Sequence, residues 1–108
     1  MEKYKVEITK EALQDMEVIY NYIAVELLSP ENAIGQYNRI ADEILTLNIL
    51  PQRHKIMDSE QEKHMELRRM LVDNYSVFYT IRGDKVIVTD VLYTASDFEA
   101  RLRGIKIF

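Results

Sequence analysis

The sequence predicts an α+β fold in which a helical hairpin packs on one face of a mainly antiparallel sheet. Short stretches of alternating apolar and polar residues stand at the start of the chain and within residues 64–93, and this alternation is typical of strands. Within residues 10–50, apolar residues instead recur every three or four positions, which is the helical period. Helices and strands that follow one another in separate blocks are typical of the α+β class.

The composition indicates one domain and excludes several kinds of site. A chain of 108 residues accommodates a single compact domain over residues 1–108. The absence of cysteine excludes disulfides, thiolate metal sites and a cysteine nucleophile. The opening residues lack the apolar run of a signal peptide, and no segment is long and apolar enough to span a bilayer. We therefore expect a cytoplasmic protein without a membrane partner.

Charge is distributed unevenly along the chain. Residues 1–52 contain four Lys and Arg against nine Asp and Glu, a net charge of −5, whereas residues 53–108 contain ten against nine, a net charge of +1. The sequence pI of about 5.2 is low for a nucleic-acid-binding domain. Only the second half of the chain therefore offers a basic patch for an anionic partner.

The chain begins with a predicted strand, residues 1–9, that leads directly into a helix. The stretch "YKVEI" alternates apolar and charged side chains, as a half-buried strand does. Thr9 is a suitable N-cap, because its hydroxyl can accept from the unpaired N–H groups of the first helical turn. The helix is predicted over residues 10–28 from one apolar stripe. The members of this stripe are Leu13, Met16, Tyr20, Ile23 and Leu27.

A second helix completes the predicted hairpin. Pro30 suits its first turn, where the N–H that proline lacks would have no partner. Pro51 ends it, because the ring of a proline disfavours the helical conformation of the residue before it. Helices joined by so short a link are expected to pack antiparallel. The apolar stripe of this helix consists of Ala33, Tyr37, Ile40, Ile44 and Leu47.

A meander of three antiparallel strands is predicted next, after a polar loop with one extended piece around residues 55–57. The strands lie in "MELRRMLV", "YSVFYTIR" and "KVIVTDVLY". The dipeptides Asp73-Asn74 and Gly83-Asp84 separate them, and both tolerate the positive φ of hairpin turns. The last strand has three consecutive β-branched residues at 86–88, which predicts a central position in the sheet. A short helix over residues 94–102, capped by Thr94 or Ser96, and an apolar tail at 103–108 complete the chain.

The titratable residues do not predict a metal or cofactor site. His54 and His64 are ten positions apart, which is not the spacing of a zinc-binding pair. The three glycines of the chain do not form a phosphate-binding loop. Neither histidine is placed near a serine in a way that predicts a hydrolase triad.

The arginine pair Arg68 and Arg69 is the main candidate for a functional surface. Neighbouring residues of a strand project to opposite faces, so one of the two leaves the helix-covered face. On the other face, expected to be open, it could meet Arg82 or Lys85. Two interpretations are open: positive charge that guards a solvated strand edge, or contacts with an anionic protein or nucleic acid.

These segments together resemble a known superfamily. The hairpin link "SPENA" and the stretch "LRRMLVDNYSVFYTIRGDKVIVTDVLYTASDFEARL" are similar to RelE/ParE toxins, the toxin halves of bacterial type II toxin–antitoxin pairs, and the likeness spans residues 4–102. The resemblance implies an addiction module of the kind that stabilises plasmids. It also implies a chain that inhibits growth and a cognate antitoxin, with a disordered segment, that neutralises it.

Two activities are known in this superfamily. RelE-like members cleave messenger RNA on the ribosome with arginines, lysines and a tyrosine, whereas ParE-like members lack that set and bind DNA gyrase. RelE-like toxins have an arginine directly after the strand tyrosine, where this chain has Ser76, and a tyrosine in the last helix, where it has Phe98. The resemblance therefore favours the ParE-like branch, with gyrase as target and no catalysis. A ribosome-dependent endonuclease and a non-toxic binding module on the same fold are the alternatives.

The resemblance also implies roles for individual residues, and it implies no cofactor. The target-binding residues would be Arg68, Arg69, Arg82, Arg101 and Arg103. The catalytic residues of an endonuclease would be Arg68, Arg69, Arg82 and Tyr93. The antitoxin would bind the apolar tail through Ile105, Ile107 and Phe108. An exchange of this tail between two copies would produce a homodimer.

Overall fold

A computed structural model describes residues 3–58 and 63–96, together with Phe98 and Arg101. Within these described residues the predicted α+β fold is confirmed, with two long helices and a four-stranded mixed sheet. The two helices are α1 (Lys10–Asn21), which continues into a π-helical turn (Tyr22–Glu26), and α2 (Pro30–Leu45). The strands are β1 (Lys5–Ile8), β2 (Arg68–Val72), β3 (Tyr75–Arg82) and β4 (Lys85–Tyr93).

The sheet has the strand order β1-β4-β3-β2. The predicted meander is confirmed by the antiparallel pairs β2–β3 and β3–β4, whereas β1 is parallel to β4. β4 therefore lies inside the sheet, as its apolar run predicts. The turn residues Asp73 and Gly83 have positive φ of 55° and 61°. The extended piece of the loop is also present, since Ile56 bridges to Arg68.

One face of the sheet packs against the helices and forms the main core. Apolar side chains are removed from water there, which is the largest favourable term in folding. The second helix presents the stripe that its sequence predicts. Fully buried members of the core include Ala12, Met16, Ile40, Ile44, Leu47, Val77, Tyr79, Val86, Val88 and Val91.

Tyr79 is the largest buried side chain of this core and carries a polar atom into it. Its hydroxyl donates to the carbonyl oxygen of Pro51 at 2.6 Å. Burial raises the pKa of the Tyr79 phenol to about 12, so the hydroxyl remains a donor at all ordinary pH values. This bond ties the loop after α2 to the centre of the sheet.

We predict that Tyr79→Phe lowers the free energy of unfolding by about 1–2 kcal/mol, because the Pro51 carbonyl loses its partner inside the protein. The ring remains, so packing changes little. Urea unfolding measures the effect. Tyr93→Phe, at an exposed position, is the control and should change stability by less than about 0.5 kcal/mol. Equal effects of the two substitutions would contradict the role given to the Tyr79 hydroxyl.

Helix α1 differs from its predicted stripe at Leu13, which is 41% exposed, and again near its end. The Thr9 hydroxyl accepts from the Ala12 N–H at 3.1 Å, so the predicted cap is present. The π-helical turn then adds a residue to the last turn, as shown by the bond from the Leu27 N–H to the Tyr22 carbonyl at 3.1 Å. One extra residue rotates the rest of the turn by about 100° around the helix axis. Leu27, predicted to lie on the buried stripe, is consequently exposed.

The second face of the sheet is not open, contrary to the prediction. Leu67, Phe78 and Phe98 form a second buried cluster there. The rings of Phe78 and Phe98 are stacked, with centroids 3.7 Å apart and planes 12° from parallel. Phe98 therefore covers part of this face, and β3 is buried on both sides.

The predicted helix over residues 94–102 can be followed only in part. Thr94–Ser96 form a turn in which the Ser96 N–H donates to the Tyr93 carbonyl at 2.8 Å. Phe98 and Arg101 are helical, and the other residues of that segment and the tail 103–108 lie outside the described residues. Within the part of the chain that the structure describes, no helix has the length and apolarity needed to cross a membrane.

Candidate functional site

Two of the four residues proposed for RNA cleavage, Tyr93 and Arg82, lie at opposite ends of β3. Tyr93 pairs with Tyr75 at the start of β3, and Arg82 ends the same strand. A strand of eight residues spans roughly 25 Å. Side chains at its two ends therefore lie too far apart to act on the same phosphate.

The other two of these residues are divided between the two faces. Cross-strand partners in an antiparallel pair point to the same face. Arg68 pairs with Tyr79 and so lies on the helix-covered face, whereas Arg69 pairs with Phe78 on the other. The sequence correctly predicts that the two arginines separate. Since cleavage without a metal needs charge stabilisation and proton transfer at one phosphodiester, this arrangement does not assemble a nuclease centre.

Two of the arginines contact neighbouring loops. Arg68 Nη1 donates to the carbonyl oxygens of His54 at 2.7 Å and Gln52 at 3.3 Å. Arg82 contacts Glu66 Oε2 and the Met65 carbonyl, each at 3.3 Å. These contacts hold the segments that flank β2 in place. Arg69 and Arg82 are exposed and Arg68 is half-buried, so Arg69 and Arg82 are the more accessible of the predicted target-binding residues in the sheet.

Arg101, which is also among the predicted target-binding residues, joins three parts of the fold. Its Nη1 lies 2.8 Å from both carboxylate oxygens of Asp15 in α1 and 3.4 Å from Asp90 Oδ1 in β4. Asp15 Oδ2 accepts in addition from the Val91 N–H at 3.0 Å. β1 ends opposite Val88, so it does not cover the edge of β4 beyond that residue. The Val91 N–H lies on this uncovered edge, and Asp15 accepts from it.

We predict that Asp90→Asn stabilises the protein at neutral pH. Burial raises the pKa of the Asp90 carboxyl, and the nearby Asp15 adds to the rise, although Thr89 and Arg101 oppose it. Because the pKa of the Asp90 carboxyl is raised in the folded protein, the contribution of Asp90 to stability is greatest below the ordinary pKa of 3.8. That contribution is lost as the pH rises through the pKa of the folded protein. The gain of the variant should therefore vanish below that pH, as urea unfolding at neutral and acidic pH would measure. A gain that persists in acid would contradict this.

An exposed aromatic surface lies beside the end of β4. The Tyr75 and Tyr93 rings meet edge to face, with centroids 5.9 Å apart. Tyr22, on the π-helical turn, is close enough to Tyr75 to affect its pKa. Tyr22 and Tyr93 are exposed, and Tyr75 is half-buried. Burial raises the pKa of the Tyr75 phenol, with smaller contributions from Tyr93 and Tyr22. The raised pKa keeps the Tyr75 phenol protonated at physiological pH.

A second exposed apolar surface, at the tip of the helical hairpin, was not predicted by the sequence. Val25, Leu27 and Leu28 are all exposed there, and Leu28 has a positive φ of 52°. The signal in the sequence was "LLSP", in which a leucine occupies the position after a helix where glycine is usual.

The helices also border an open groove of about 370 Å³ on their outer side. The groove is lined by Glu17, Tyr20, Asn21, Ile34, Tyr37 and Asn38. In the portions of the chain covered by the structure, no cluster of three or more acidic or histidine side chains could hold a metal ion. Arg103 and the proposed antitoxin-binding residues Ile105, Ile107 and Phe108 lie outside the described residues.

Comparison with known proteins identifies the family. Over residues 6–98 the chain matches the family described as "ParE toxin of type II toxin-antitoxin system, parDE". Its fold is similar to a chain of the solved structure "Chromosomal ParDE TA system from P. aeruginosa", with a TM-score of 0.71, 16% identity, and coverage of 84% of this chain and 96% of that chain. No curated protein sequence matches. The predicted ParE-like branch is thereby confirmed, and this chain belongs to the ParE toxin family of type II toxin–antitoxin systems.

Proposed function

We propose that this protein arrests growth by binding an essential protein target, with DNA gyrase favoured, and that a cognate antitoxin neutralises it. The observation that carries the proposal is the separation of the candidate catalytic side chains. Tyr93 and Arg82 stand at opposite ends of β3, and Arg68 and Arg69 point to opposite faces. A protein that acts by binding its target does not need these side chains to lie close together, so their separation is compatible with the proposed function.

The exposed surfaces support binding rather than catalysis. The tyrosine surface and the hairpin tip are apolar or aromatic, and aromatic side chains are enriched among residues that dominate protein interfaces. Arg69 adds a positive charge on the far face of the sheet. A partner that contacts one of these surfaces would bury apolar area without any group having to transfer a proton.

The antitoxin is proposed to act by folding on the toxin. A disordered segment can wrap a large surface, and its degradation in the free state would release the toxin. We expect such a segment to contact the apolar tail at residues 105–108. A homodimer formed by exchange of that tail is a further proposal, which sedimentation of the purified toxin at several concentrations tests.

Inducible expression with and without the antitoxin gene tests the proposed function. We expect growth arrest that the antitoxin reverses, together with inhibition of gyrase supercoiling by the purified protein and no cleavage of RNA in a translation extract. Cleavage of RNA that Tyr93→Phe and Arg69→Ala abolish, with supercoiling unaffected, would overturn the proposal. Normal growth on expression would favour a non-toxic binding module instead.

A further inference from the structure

The tip of the helical hairpin, residues 25–31, holds Leu28, its most exposed apolar residue, in an unfavourable backbone conformation. Leu28 is 84% exposed and has a φ of 52°. A leucine in the left-handed region suffers a clash between its Cβ and the following carbonyl, which glycine avoids. Neither burial nor backbone preference explains a leucine at this position. Strained residues that persist in this way are often found at functional sites.

The conformation of Leu28 is fixed by the bonds around it. The π-helical turn ends with the Leu27 N–H donating to the Tyr22 carbonyl, and the Ser29 N–H donates to the Ile23 carbonyl, both at 3.1 Å. Pro30 then begins α2 with its fixed φ. The chain reverses direction within Leu27–Ser29, so the Leu28 side chain is held outward before any partner binds. A preorganised side chain loses little entropy on binding.

The charge around the tip restricts what can bind it. No Lys or Arg occurs between Lys10 and Arg39, whereas Glu26 and Glu31 flank the tip itself. Anionic membranes and nucleic acids would be repelled by these carboxylates. Two copies of the same tip would also repel each other. An apolar pocket bordered by Lys or Arg side chains complements both the leucine and the carboxylates.

We propose that the hairpin tip is the element that docks on the protein target, with Leu28 entering an apolar pocket whose rim is basic. This inference rests on the proposed function, because it assigns the surface through which that function is exerted. Leu28 acts as the anchor, Val25 and Leu27 enlarge the apolar contact, and Glu26 and Glu31 orient the approach. The unfavourable φ of Leu28 is retained because glycine, the residue that fits the backbone, would remove the anchor.

The protein contains a matched control for this proposal. Leu50 has a φ of 50° and is 56% exposed, at the other end of α2. Leu28→Gly and Leu50→Gly make the same chemical change in the same backbone region, and each relieves the same clash. Both variants are expected to fold with a melting temperature equal to or above that of the wild type.

Growth arrest on induction separates the two variants. We expect Leu28→Gly to weaken the arrest by roughly tenfold or more in the amount of protein required, the loss typical of an interface anchor, and Leu50→Gly to act like the wild type. The double change Glu26→Lys and Glu31→Lys should weaken the arrest at unchanged melting temperature. Protein levels are measured in parallel, so that altered abundance is not mistaken for altered docking.

Each other result overturns the inference in a recognisable way. Arrest by Leu28→Gly equal to that by the wild type would remove the tip from the target interface and leave the proposed function standing. Full arrest that the antitoxin no longer reverses would assign the tip to the antitoxin. A dimer that Leu28→Gly dissociates would assign it to a second copy. A wild-type protein that does not arrest growth would contradict the proposed function and this inference with it.

Discussion

Asp15→Ala is expected to lower the free energy of unfolding by about 3 kcal/mol, within the range for removing one partner of a buried ion pair. Asp15 is only 11% exposed at its side chain, and it accepts from both Arg101 and the Val91 N–H. Alanine leaves the guanidinium and the strand N–H without this acceptor in a region that water reaches poorly. The contacts between α1, β4 and the C-terminal segment all weaken together.

Urea unfolding of three variants separates the contributions of Asp15. Asp15→Asn keeps an oxygen that can accept from Val91 but loses the negative charge, so it should lose only part of the stability. Arg101→Met removes the cation and leaves the cap on Val91 intact. We expect Asp15→Asn to be milder than Asp15→Ala, whereas Arg101→Met leaves the poorly exposed carboxylates of Asp15 and Asp90 without their cation and should cost about as much as Asp15→Ala. If Asp15→Ala costs less than about 0.5 kcal/mol, as a surface change does, the contacts of Asp15 with Arg101 and Val91 do not stabilise the fold.

Phe78→Ala is expected to cost about 3–5 kcal/mol, which is usual for a buried phenylalanine because the removed ring leaves a cavity. Phe78 is almost completely buried and stacks on Phe98. This contact attaches the C-terminal segment to the second face of the sheet. Its loss should therefore both destabilise the fold and loosen that segment, which hydrogen exchange at Phe98 would report.

Leu71→Ala provides the comparison for Phe78→Ala. Leu71 alternates onto the same face of the sheet in β2 but is 58% exposed. Its removal should change the free energy of unfolding by less than about 0.5 kcal/mol. Similar losses in the two variants would mean that the second cluster contributes no more than surface packing does.

The parts of the fold that depend on local pattern could be predicted from the sequence. The stripe of α2 requires only an even helical period, and its residues Ala33, Ile40 and Ile44 are all buried. The turns at Asp73 and Gly83 follow from residues that tolerate positive φ. The central position of β4 follows from its apolar run.

The parts that depend on distant contacts or on a local irregularity could not be predicted. The π-helical turn adds one residue to a turn of the helix, and the spacing of the apolar residues gives no indication of it. Leu27 is therefore exposed where an even helix would bury it. Asp15, the partner of Arg101, is 86 positions away along the chain, so their contact could not be read from the local pattern. Likewise, the stacking of Phe98 on Phe78 requires knowledge of where the C-terminal segment runs.

The parallel pairing of β1 with β4 affects how the toxin is made. Lys5 pairs with Lys85, and Ile8 with Val88. β1 therefore has no strand to pair with until β4 has been synthesised. A ribosome adds roughly 5–20 residues per second, and the helical hairpin, with its short-range contacts, can form well before synthesis ends. The sheet cannot close until β4 has emerged from the exit tunnel. Polypeptides that stop before β4 are thus expected to contain the helical hairpin but no closed sheet.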